Sequence, residues 1–226
     1  MTLTSLAPIE RGAGAGGTGD RVRDALVEAI LAGALPPGTH LNADALAKRL
    51  GVSHIPVREA LRSLGADGWI DYRPHLGAYV RERSEQELAD LFEARLEIEG
   101  RTTAMAAERR TAEQLAALDA ILARQAGAAD PVVLAALNAE FHIAVAACSQ
   151  NHLMAGFVRA LSLRARFYFS AVAPSRRQAS LADHRAIVDA LRRRDAAEAE
   201  RLGRSHVAST RRDLHRALTA PPPATP

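Results

Sequence analysis

The spacing of apolar residues divides the chain into a short mixed segment and a long helical one. Apolar residues recur every three or four positions over 20–32, which predicts an amphipathic helix. A second helix is predicted over 43–50 with Asn42 as its cap, and Ser53 is a favoured capping residue for a third. Gly51 lies between them, where a left-handed residue ends a helix. Two helices joined by a short turn that contains glycine predict a helix-turn-helix.

The third helix separates apolar from polar side chains. Its buried stripe is predicted to consist of Val57, Ala60, Leu61 and Leu64. The face toward solvent carries Ser53, His54, Arg58 and Arg62. In a helix-turn-helix, the second helix is the element that enters the major groove of DNA. These polar residues are therefore candidates for DNA contacts.

A β-hairpin is predicted directly after this helix. Its two short strands are expected over 69–72 and 78–81, around a turn over 73–77. A hairpin in this place forms a wing, which reaches the minor groove or the DNA backbone beside the recognition helix. Three helices and a hairpin over residues 20–83 predict a winged helix-turn-helix domain.

Beyond Arg83 the pattern is helical throughout. Capping boxes at Ser84 and Thr111 and the Asp130–Pro131 pair mark three helix starts. Six helices are predicted, at about 84–109, 111–126, 130–147, 152–172, 180–193 and 195–218. The fold class is therefore mainly α, an N-terminal winged helix-turn-helix followed by an all-α six-helix bundle over 84–218.

Composition limits the class of protein. The Gly-rich stretch before Asp20 predicts a flexible arm over 1–19, and the Pro-rich end predicts a disordered tail over 219–226. The single cysteine, Cys148, excludes a disulfide framework and is expected to pack in the core. No apolar run approaches the ~20 residues of a membrane span, so we expect a cytoplasmic protein with no membrane partner.

The basic net charge is poor support for DNA binding because it lies in the wrong half of the chain. Residues 20–83 contain nine basic and eight acidic side chains, whereas residues 159–216 contain fourteen and six. The placement of Arg58 and Arg62 on one helix face counts for more than the total charge.

Three motifs in one order resemble the signature of GntR-type bacterial transcription regulators, namely 35–41, 46–53 and 56–61. The resemblance implies DNA contacts from Ser53, His54, Arg58 and Arg62 on the helix, and from His75 and Gly77 on the wing. The family usually carries arginine at the position of His54. Histidine is shorter and cannot give a bidentate pair to guanine, so the preferred operator is expected to differ.

The helical segment resembles the FCD ligand-sensing domain of the FadR-like branch of that family. The resemblance implies a divalent metal held by Asn138, His142, His184 and His206. A break near Arg194 places His184 and His206 on consecutive antiparallel helices that can face each other. Three imidazoles and one oxygen ligand suit zinc or nickel, with open positions for a bound molecule. The neutral amide of Asn138 leaves the site one charge more positive than a carboxylate would.

The same resemblance implies an effector, a small organic acid that binds the metal through its carboxylate. Arg95 resembles a family position that faces the effector cavity, where it can clamp a carboxylate through paired hydrogen bonds. The alternative for Arg95 is a surface ion pair with Glu99, four residues further along the helix.

These features predict a homodimeric repressor that reads a palindromic operator in double-stranded DNA and releases it when the acid binds. Two alternatives remain. A metal-dependent hydrolytic enzyme would need a carboxylate beside the ligands as a general base, and no motif places one; Glu140 points elsewhere on its helix. An architectural DNA-binding dimer would sense nothing.

Overall fold

The computed structural model describes residues 6–9, 17–82, 84–169 and 172–219. The chain divides into two compact units, Met1–Arg83 and Ser84–Pro226. Most of the predicted N-terminal arm, and the predicted tail beyond Thr219, lie outside the described residues.

The first unit combines three helices with a small sheet. The helices are α1 (Thr18–Leu31), α2 (Ala43–Leu50) and α3 (His54–Ala66), and the strands are β1 (His40–Leu41), β2 (Ile70–Arg73) and β3 (Gly77–Val80). The antiparallel sheet has the order β1-β3-β2. Strand β1 was not predicted, because two residues are too few to show an alternating pattern. The winged helix-turn-helix architecture is confirmed.

The ends of α2 and α3 follow local chemistry. The Asn42 side-chain oxygen accepts hydrogen bonds from the amides of Asp44 and Ala45, at 3.0 and 2.9 Å. Gly51 ends α2 at φ +68°, a conformation that glycine adopts without strain. Ser53 occupies the N-cap position of α3, but its side chain makes no capping hydrogen bond to the described backbone. The expectation that its hydroxyl caps the helix was wrong, and the hydroxyl lies exposed instead.

Helix α3 is held by the predicted stripe of Val57, Ala60, Leu61 and Leu64, all of which are buried. Part of the predicted flexible arm also packs on this unit. Leu6 is buried, and the Ile9 amide donates to the Leu50 carbonyl at 2.9 Å. Helix α1 begins at Thr18, inside the predicted arm, with the Gly17 amide donating to the Asp20 carboxylate. Residues 6–9 and 17–19 are therefore part of the folded unit.

The second unit contains the predicted bundle: α4 (Glu85–Arg109), α5 (Ala112–Gly127), α6 (Pro131–Cys148), α7 (His152–Phe169), α8 (Ala173–Arg193) and α9 (Ala196–Thr219). Two ends differ from expectation. Helix α7 stops short of residue 172, and α8 begins at Ala173 rather than at Ser180. The first two turns of α8 contain two arginines and a glutamine, so they show no apolar periodicity.

Helix α6 runs through the core of the bundle. Its 18 residues are long and apolar enough to span a membrane by composition alone, but 56% of them are buried inside the protein. Phe141 and Val145 pack with residues of α5 and α8, and Cys148 lies in the same core as expected. Helix α6 is therefore a core helix, and it carries two of the predicted metal ligands, Asn138 and His142.

Two glycines allow α4 and α9 to pack closely. A Cβ on Gly100 would lie 2.5 Å from the Cγ of Arg204, and one on Gly203 would lie 3.1 Å from Oγ1 of Thr103. Larger residues at either position would push the helices apart or displace these neighbours. The close packing brings α4, which carries Glu99, beside α9, which carries His206.

Candidate metal centre and nucleic-acid interface

The bundle brings three predicted metal ligands together in its interior. His142 of α6, His184 of α8 and His206 of α9 each offer a ring nitrogen, and these nitrogens lie within 4.8 Å of one another. The Nε2 atoms of His184 and His206 are 3.3 Å apart. All three residues are buried. Helices α8 and α9 thus face each other at the two histidines, as the sequence predicts.

Each imidazole is held through its other nitrogen. The Nδ1 atom of His142 is 2.8 Å from Glu99 Oε2, and that of His206 is 3.0 Å from Asp183 Oδ2. The Nδ1 atom of His184 is 2.9 Å from the side-chain oxygen of Gln125. Gln125 in turn donates from Nε2 to the Leu137 carbonyl at 3.0 Å, which fixes which end of its amide is the acceptor. The three acceptors assign a hydrogen to every Nδ1.

This tautomer leaves a lone pair on each Nε2, and the three lone pairs converge. The Nε2 atom of His142 is buried and has no hydrogen-bond partner among the described residues. Two acceptor nitrogens at 3.3 Å repel each other unless a cation lies between them. Tetrahedral zinc bound at 2.0–2.1 Å places its nitrogen ligands about 3.3 to 3.4 Å apart. The donor set and its spacing therefore fit a divalent metal.

Asn138 lies one turn before His142 on the buried face of α6. Its side-chain oxygen is buried and has no hydrogen-bond partner among the described residues. Together with Gln125 and Ser180 it lines a cavity of about 20 Å³, which has room for about one water. An unpartnered amide oxygen in this position fits the predicted fourth ligand.

Burial keeps the His184 and His206 imidazoles neutral, which is the protonation state that binds metal. Desolvation and the neighbouring histidines lower the pKa of His184 well below its usual value. Burial also lowers the pKa of His206 to about 4, although its hydrogen bond to Asp183 acts in the opposite direction. The same hydrogen bond holds the pKa of Asp183 below its usual value in spite of partial burial.

Arg95 is connected to His142 through Glu99, which contacts both side chains. The Nε atom of Arg95 donates to Glu99 Oε1 at 2.5 Å, and the two side chains are only 2% and 5% exposed. The pair is therefore buried, whereas the alternative considered for these residues was a surface ion pair. Burial raises the pKa of Glu99, but the charge of Arg95 and the hydrogen bonds from Arg95 and His142 outweigh it and hold that pKa well below its usual value.

A second buried arginine lies beside the cluster, and no pattern in the sequence predicted it. Arg176, in the first turns of α8, is 4% exposed and donates from Nη1 to Asp213 on α9. Its Nη2 atom lies 3.7 Å from Asp183, the residue that holds His206. Two arginines therefore flank the histidine cluster, each through a carboxylate that bonds a ring Nδ1.

The carboxylates beside the cluster bear on the hydrolytic alternative. Glu99 and Asp183 contact histidines, although no motif predicted an acidic residue there. Both bond the Nδ1 side of a ring, away from the Nε2 atoms, so they orient the imidazoles and are not placed as general bases. Glu140 pairs with Arg124 at the surface, as its position on the helix predicts.

The predicted DNA contacts lie together on the outside of the first unit. Ser53, His54, Arg58 and Arg62 are all exposed on α3. His54 donates from Nδ1 to Asp44 of α2, over 3.0 Å, whereas Arg58 makes no hydrogen bond or ion pair with the described residues. Arg62 faces Tyr72 of β2 closely enough to act on its pKa, which burial nevertheless raises.

The wing brings its tip to the same side. His75 and Gly77 are exposed at the hairpin turn, with φ of +60° and +97°. Arg58 and Gly77 line one groove between α3 and the wing, together with the start of α2. The recognition helix and the wing therefore present one continuous surface.

Comparison with known families identifies the class of protein. Residues 18–80 match the model described as bacterial regulatory proteins, gntR family, and residues 90–209 match the FCD domain. The chain belongs to the GntR family of bacterial transcription regulators, with a helical FCD domain after the winged helix-turn-helix.

Individual relatives agree with this assignment. The chain is 33% identical over 195 residues to the "Probable D-xylose utilization operon transcriptional repressor" of Paenarthrobacter nicotinovorans, covering 84% of this chain and 85% of the relative. It is 26% identical to the "Galactonate operon transcriptional repressor" of Escherichia coli (strain K12), over 86% and 96% of the two chains. Among solved structures, E. coli McbR/YncC shares the fold with a TM-score of 0.81 at 23% identity, covering 90% of this chain and 100% of that one.

These relatives are transcription regulators and not enzymes. The prediction of a DNA-binding transcription regulator is confirmed, and the hydrolytic alternative finds no support among them.

Proposed function

We propose that this regulator is a cytoplasmic, metal-dependent acid sensor that represses transcription until its effector binds. The observation that carries the proposal is the cluster of three buried imidazoles whose ring nitrogens lie within 4.8 Å of one another inside the FCD domain. Nothing in DNA binding requires this cluster. Burying three polar imidazoles costs free energy, and a bound cation with an anionic ligand would offset that cost.

Asn138, His142, His184 and His206 would hold the metal, and their chemistry favours zinc or nickel. When bound, the metal supplies a Lewis acid to which a carboxylate oxygen can bind. The chain itself orients the rings through Glu99, Gln125 and Asp183. Because these acceptors lie on three different helices, they tie the position of every ligand to the packing of the bundle.

The charges around the cluster favour an anionic effector. Three carboxylates (Glu99, Asp183 and Asp213) and two arginines (Arg95 and Arg176) are linked by contacts to the histidines. Their sum is one negative charge, so a divalent metal would leave one positive charge. A single carboxylate would neutralise it. Because Asn138 is neutral, it does not cancel this positive charge, which remains to attract the effector. Arg95 remains a predicted effector contact.

The DNA-binding end would work as a two-fold pair. In a homodimer, two α3 helices would read the half-sites of a palindromic operator through Ser53, His54, Arg58 and Arg62, and the wings would add His75 and Gly77. Effector binding need change operator affinity only by a coupling free energy of ~1–3 kcal/mol, which corresponds to about 5- to 150-fold. The names of two relatives, repressors of D-xylose utilization and galactonate operons, support repression, and the second name suggests a sugar acid as a first effector to test.

The test combines metal analysis with operator binding. An operator is selected from random DNA, and the wild-type chain is compared with the triple variant His142→Ala, His184→Ala, His206→Ala. The matched control replaces two histidines outside the cluster, His152→Ala and His215→Ala. We expect about one equivalent of zinc in the wild type and the control, and none in the triple variant. A panel of D-galactonate, D-xylonate and L-lactate should release DNA only from proteins that hold zinc.

Three outcomes contradict the proposal. A wild-type chain that stays metal-free after dialysis against zinc and nickel has no metal centre. A triple variant that still responds to an acid shows that the sensor lies elsewhere. If no acid in a broader carboxylate panel alters operator binding by the zinc-loaded wild type, the architectural alternative is favoured.

A further inference from the structure

The tip of the wing carries an exposed apolar side chain. The turn between β2 and β3 consists of Pro74, His75 and Leu76, and Leu76 is 60% exposed. A single exposed leucine is ordinary on a protein surface, so its exposure alone indicates no partner. What distinguishes Leu76 is its position, because it directly precedes Gly77, which lines the same groove as Arg58. Leu76 therefore continues the predicted DNA interface at the wing.

The backbone of the turn holds Leu76 in a defined place. The Leu76 amide donates to the Arg73 carbonyl at 3.0 Å, which closes the turn. The residues on either side, His75 and Gly77, have positive φ, and the ring of Pro74 restricts its own φ. A side chain on a preorganised turn loses less conformational entropy when it binds than one on a mobile loop.

The basic side chains of the wing are already paired. The wing over 70–82 contains four charged residues, Asp71, Arg73, Arg81 and Glu82. Arg73 donates to Glu82 at 3.1 Å, and its guanidinium lies over the Tyr79 ring, 4.3 Å from the centroid. Arg81 donates to Asp71 from Nε and Nη2, at 3.1 and 2.9 Å. Binding to phosphates depends on net positive charge, so electrostatic attraction is not what this wing adds to an operator contact.

An apolar tip suits the minor groove. Proteins that enter this groove often insert a leucine or another apolar side chain between two base pairs, which partly unstacks them and kinks the duplex. Pyrimidine–purine steps unstack most easily, whereas runs of adenine are stiff. The sequence read by such a side chain is therefore the one that deforms at the lowest cost.

We propose that Leu76 determines the specificity of the wing: it enters the minor groove beside the recognition helix and favours a pyrimidine–purine step there. This inference rests on the operator contact of the proposed function and deepens it. It adds an apolar reader of DNA deformability to the polar contacts predicted for α3.

The test selects operators from random DNA with the full chain, as wild type, Leu76→Ala and Leu76→Lys. The first substitution removes the apolar side chain, and the second places a cation at the same point. Neither leaves a cavity, because Leu76 is exposed, and circular dichroism checks the fold. Leu153→Ala is the matched control, since Leu153 is 79% exposed on α7 of the FCD domain.

Affinities are then measured by fluorescence anisotropy at several salt concentrations. Each protein is tested on the operator that the wild type selects and on a copy whose flanking step is replaced by two adenines. The comparison separates a preference for the flanking step from a general loss of binding. The dependence on salt separates apolar contacts from phosphate contacts.

We expect the wild type to select TA, CA or TG at one position beside each half-site. Leu76→Ala should lose this preference and bind the selected operator at least about fourfold more weakly, the factor that corresponds to one buried methylene group. Its salt dependence should match the wild type, because no phosphate contact is lost. Leu76→Lys should also lose the preference, and each new phosphate contact should steepen the log–log salt slope by about 0.9. Leu153→Ala should keep the flanking preference.

The contrary results can be told apart. If Leu76→Ala selects the same flanking bases as the wild type and binds them equally well, Leu76 takes no part in recognition, while DNA binding by α3 stands. If Leu76→Ala weakens binding to both operators by the same factor, Leu76 lies against the DNA backbone and its role in specificity is wrong. If the wild type enriches no sequence at all, the operator contact of the proposed function fails, and the inference fails with it.

Discussion

The recognition helix and the histidine cluster both depend on polar side chains, but the protein holds them in opposite environments. Arg58 and the other predicted DNA contacts lie exposed on a helix whose stability comes from its other face. The histidines are buried, and each is fixed by an acceptor from another helix. The predicted DNA contacts lie outside the packing of the fold, whereas the histidine cluster is part of that packing.

This difference has an energetic consequence. An exposed side chain can be removed without leaving a buried charge or an empty space, so its loss should affect DNA binding alone. A buried polar group that loses its partner remains desolvated and unsatisfied. Substitutions around the cluster should therefore change stability and metal binding together.

The largest effect is expected for Glu99→Ala. The substitution leaves Arg95 buried without its carboxylate and removes the acceptor for Nδ1 of His142. Breaking a buried pair on one side costs about 3–5 kcal/mol, so the free energy of unfolding should fall by that amount. Urea denaturation of the metal-free chain measures it.

Glu97 provides the matched control on the same helix. It is exposed and pairs with Arg204 at the surface, where solvent screens the charges. Glu97→Ala should leave the urea midpoint of the metal-free chain unchanged. Equal destabilisation by the two substitutions would show that the Glu99 network is no more important to the fold than a surface pair.

The second effect concerns metal affinity. Gln125→Ala removes the acceptor that orients His184 but leaves every proposed metal ligand in place. Loss of such an orienting partner lowers metal affinity by about 10- to 100-fold. Zinc competition with a chromophoric chelator measures the change, with Gln86→Ala, an exposed glutamine on α4, as the control. Unaltered zinc affinity would mean that packing against Phe141, which stacks on His184 at 3.8 Å, is enough to orient the ring.

The third effect should leave stability untouched. Arg58→Ala removes an exposed guanidinium that has no partner in the described structure. If Arg58 contacts a base edge, operator affinity should fall by ~1–3 kcal/mol, with the urea midpoint unchanged. Fluorescence anisotropy on a selected operator gives the affinity, and Arg201→Ala, an exposed arginine of the FCD domain, is the control. If Arg58→Ala binds the operator with wild-type affinity, Arg58 does not contribute to the interface with DNA.

Local chemistry explains how much of the fold could be predicted. Capping residues and apolar spacing are local signals, so α2 was predicted with its observed bounds, and the starts of α4 and α6 were predicted within one residue. The beginning of α8 was missed because Arg176 is a charged residue that lies in the interior. A prediction from apolar periodicity assigns charged residues to the solvent face. A buried arginine interrupts the apolar pattern, so the segment is not predicted as a helix.

The candidate site also contains residues that could be predicted from the sequence and residues that could not. The resemblance to the FCD domain predicted a cluster of three histidines, and α8 and α9 bring two of them together. The orienting residues could not be predicted, because Gln125 lies 59 residues from His184 and on a different helix. Only Glu99, four residues from Arg95, had a local signal, and that signal indicated a surface pair.

The smallest effect is expected at His54, and it concerns specificity more than strength. The Asp44 carboxylate accepts from Nδ1 of His54 and so holds the ring at the start of α3, which leaves only the other nitrogen available for the predicted DNA contact. A single ring nitrogen makes at most one hydrogen bond to a base, whereas arginine can pair with both O6 and N7 of guanine. His54→Arg should therefore strengthen the preference for guanine at one position of each half-site. Selection from random DNA with the two proteins measures this preference. Asp44→Asn weakens the contact that holds the His54 ring, so it should lower the base preference at the same position of the half-site. An identical consensus from all three proteins would show that His54 does not read the operator.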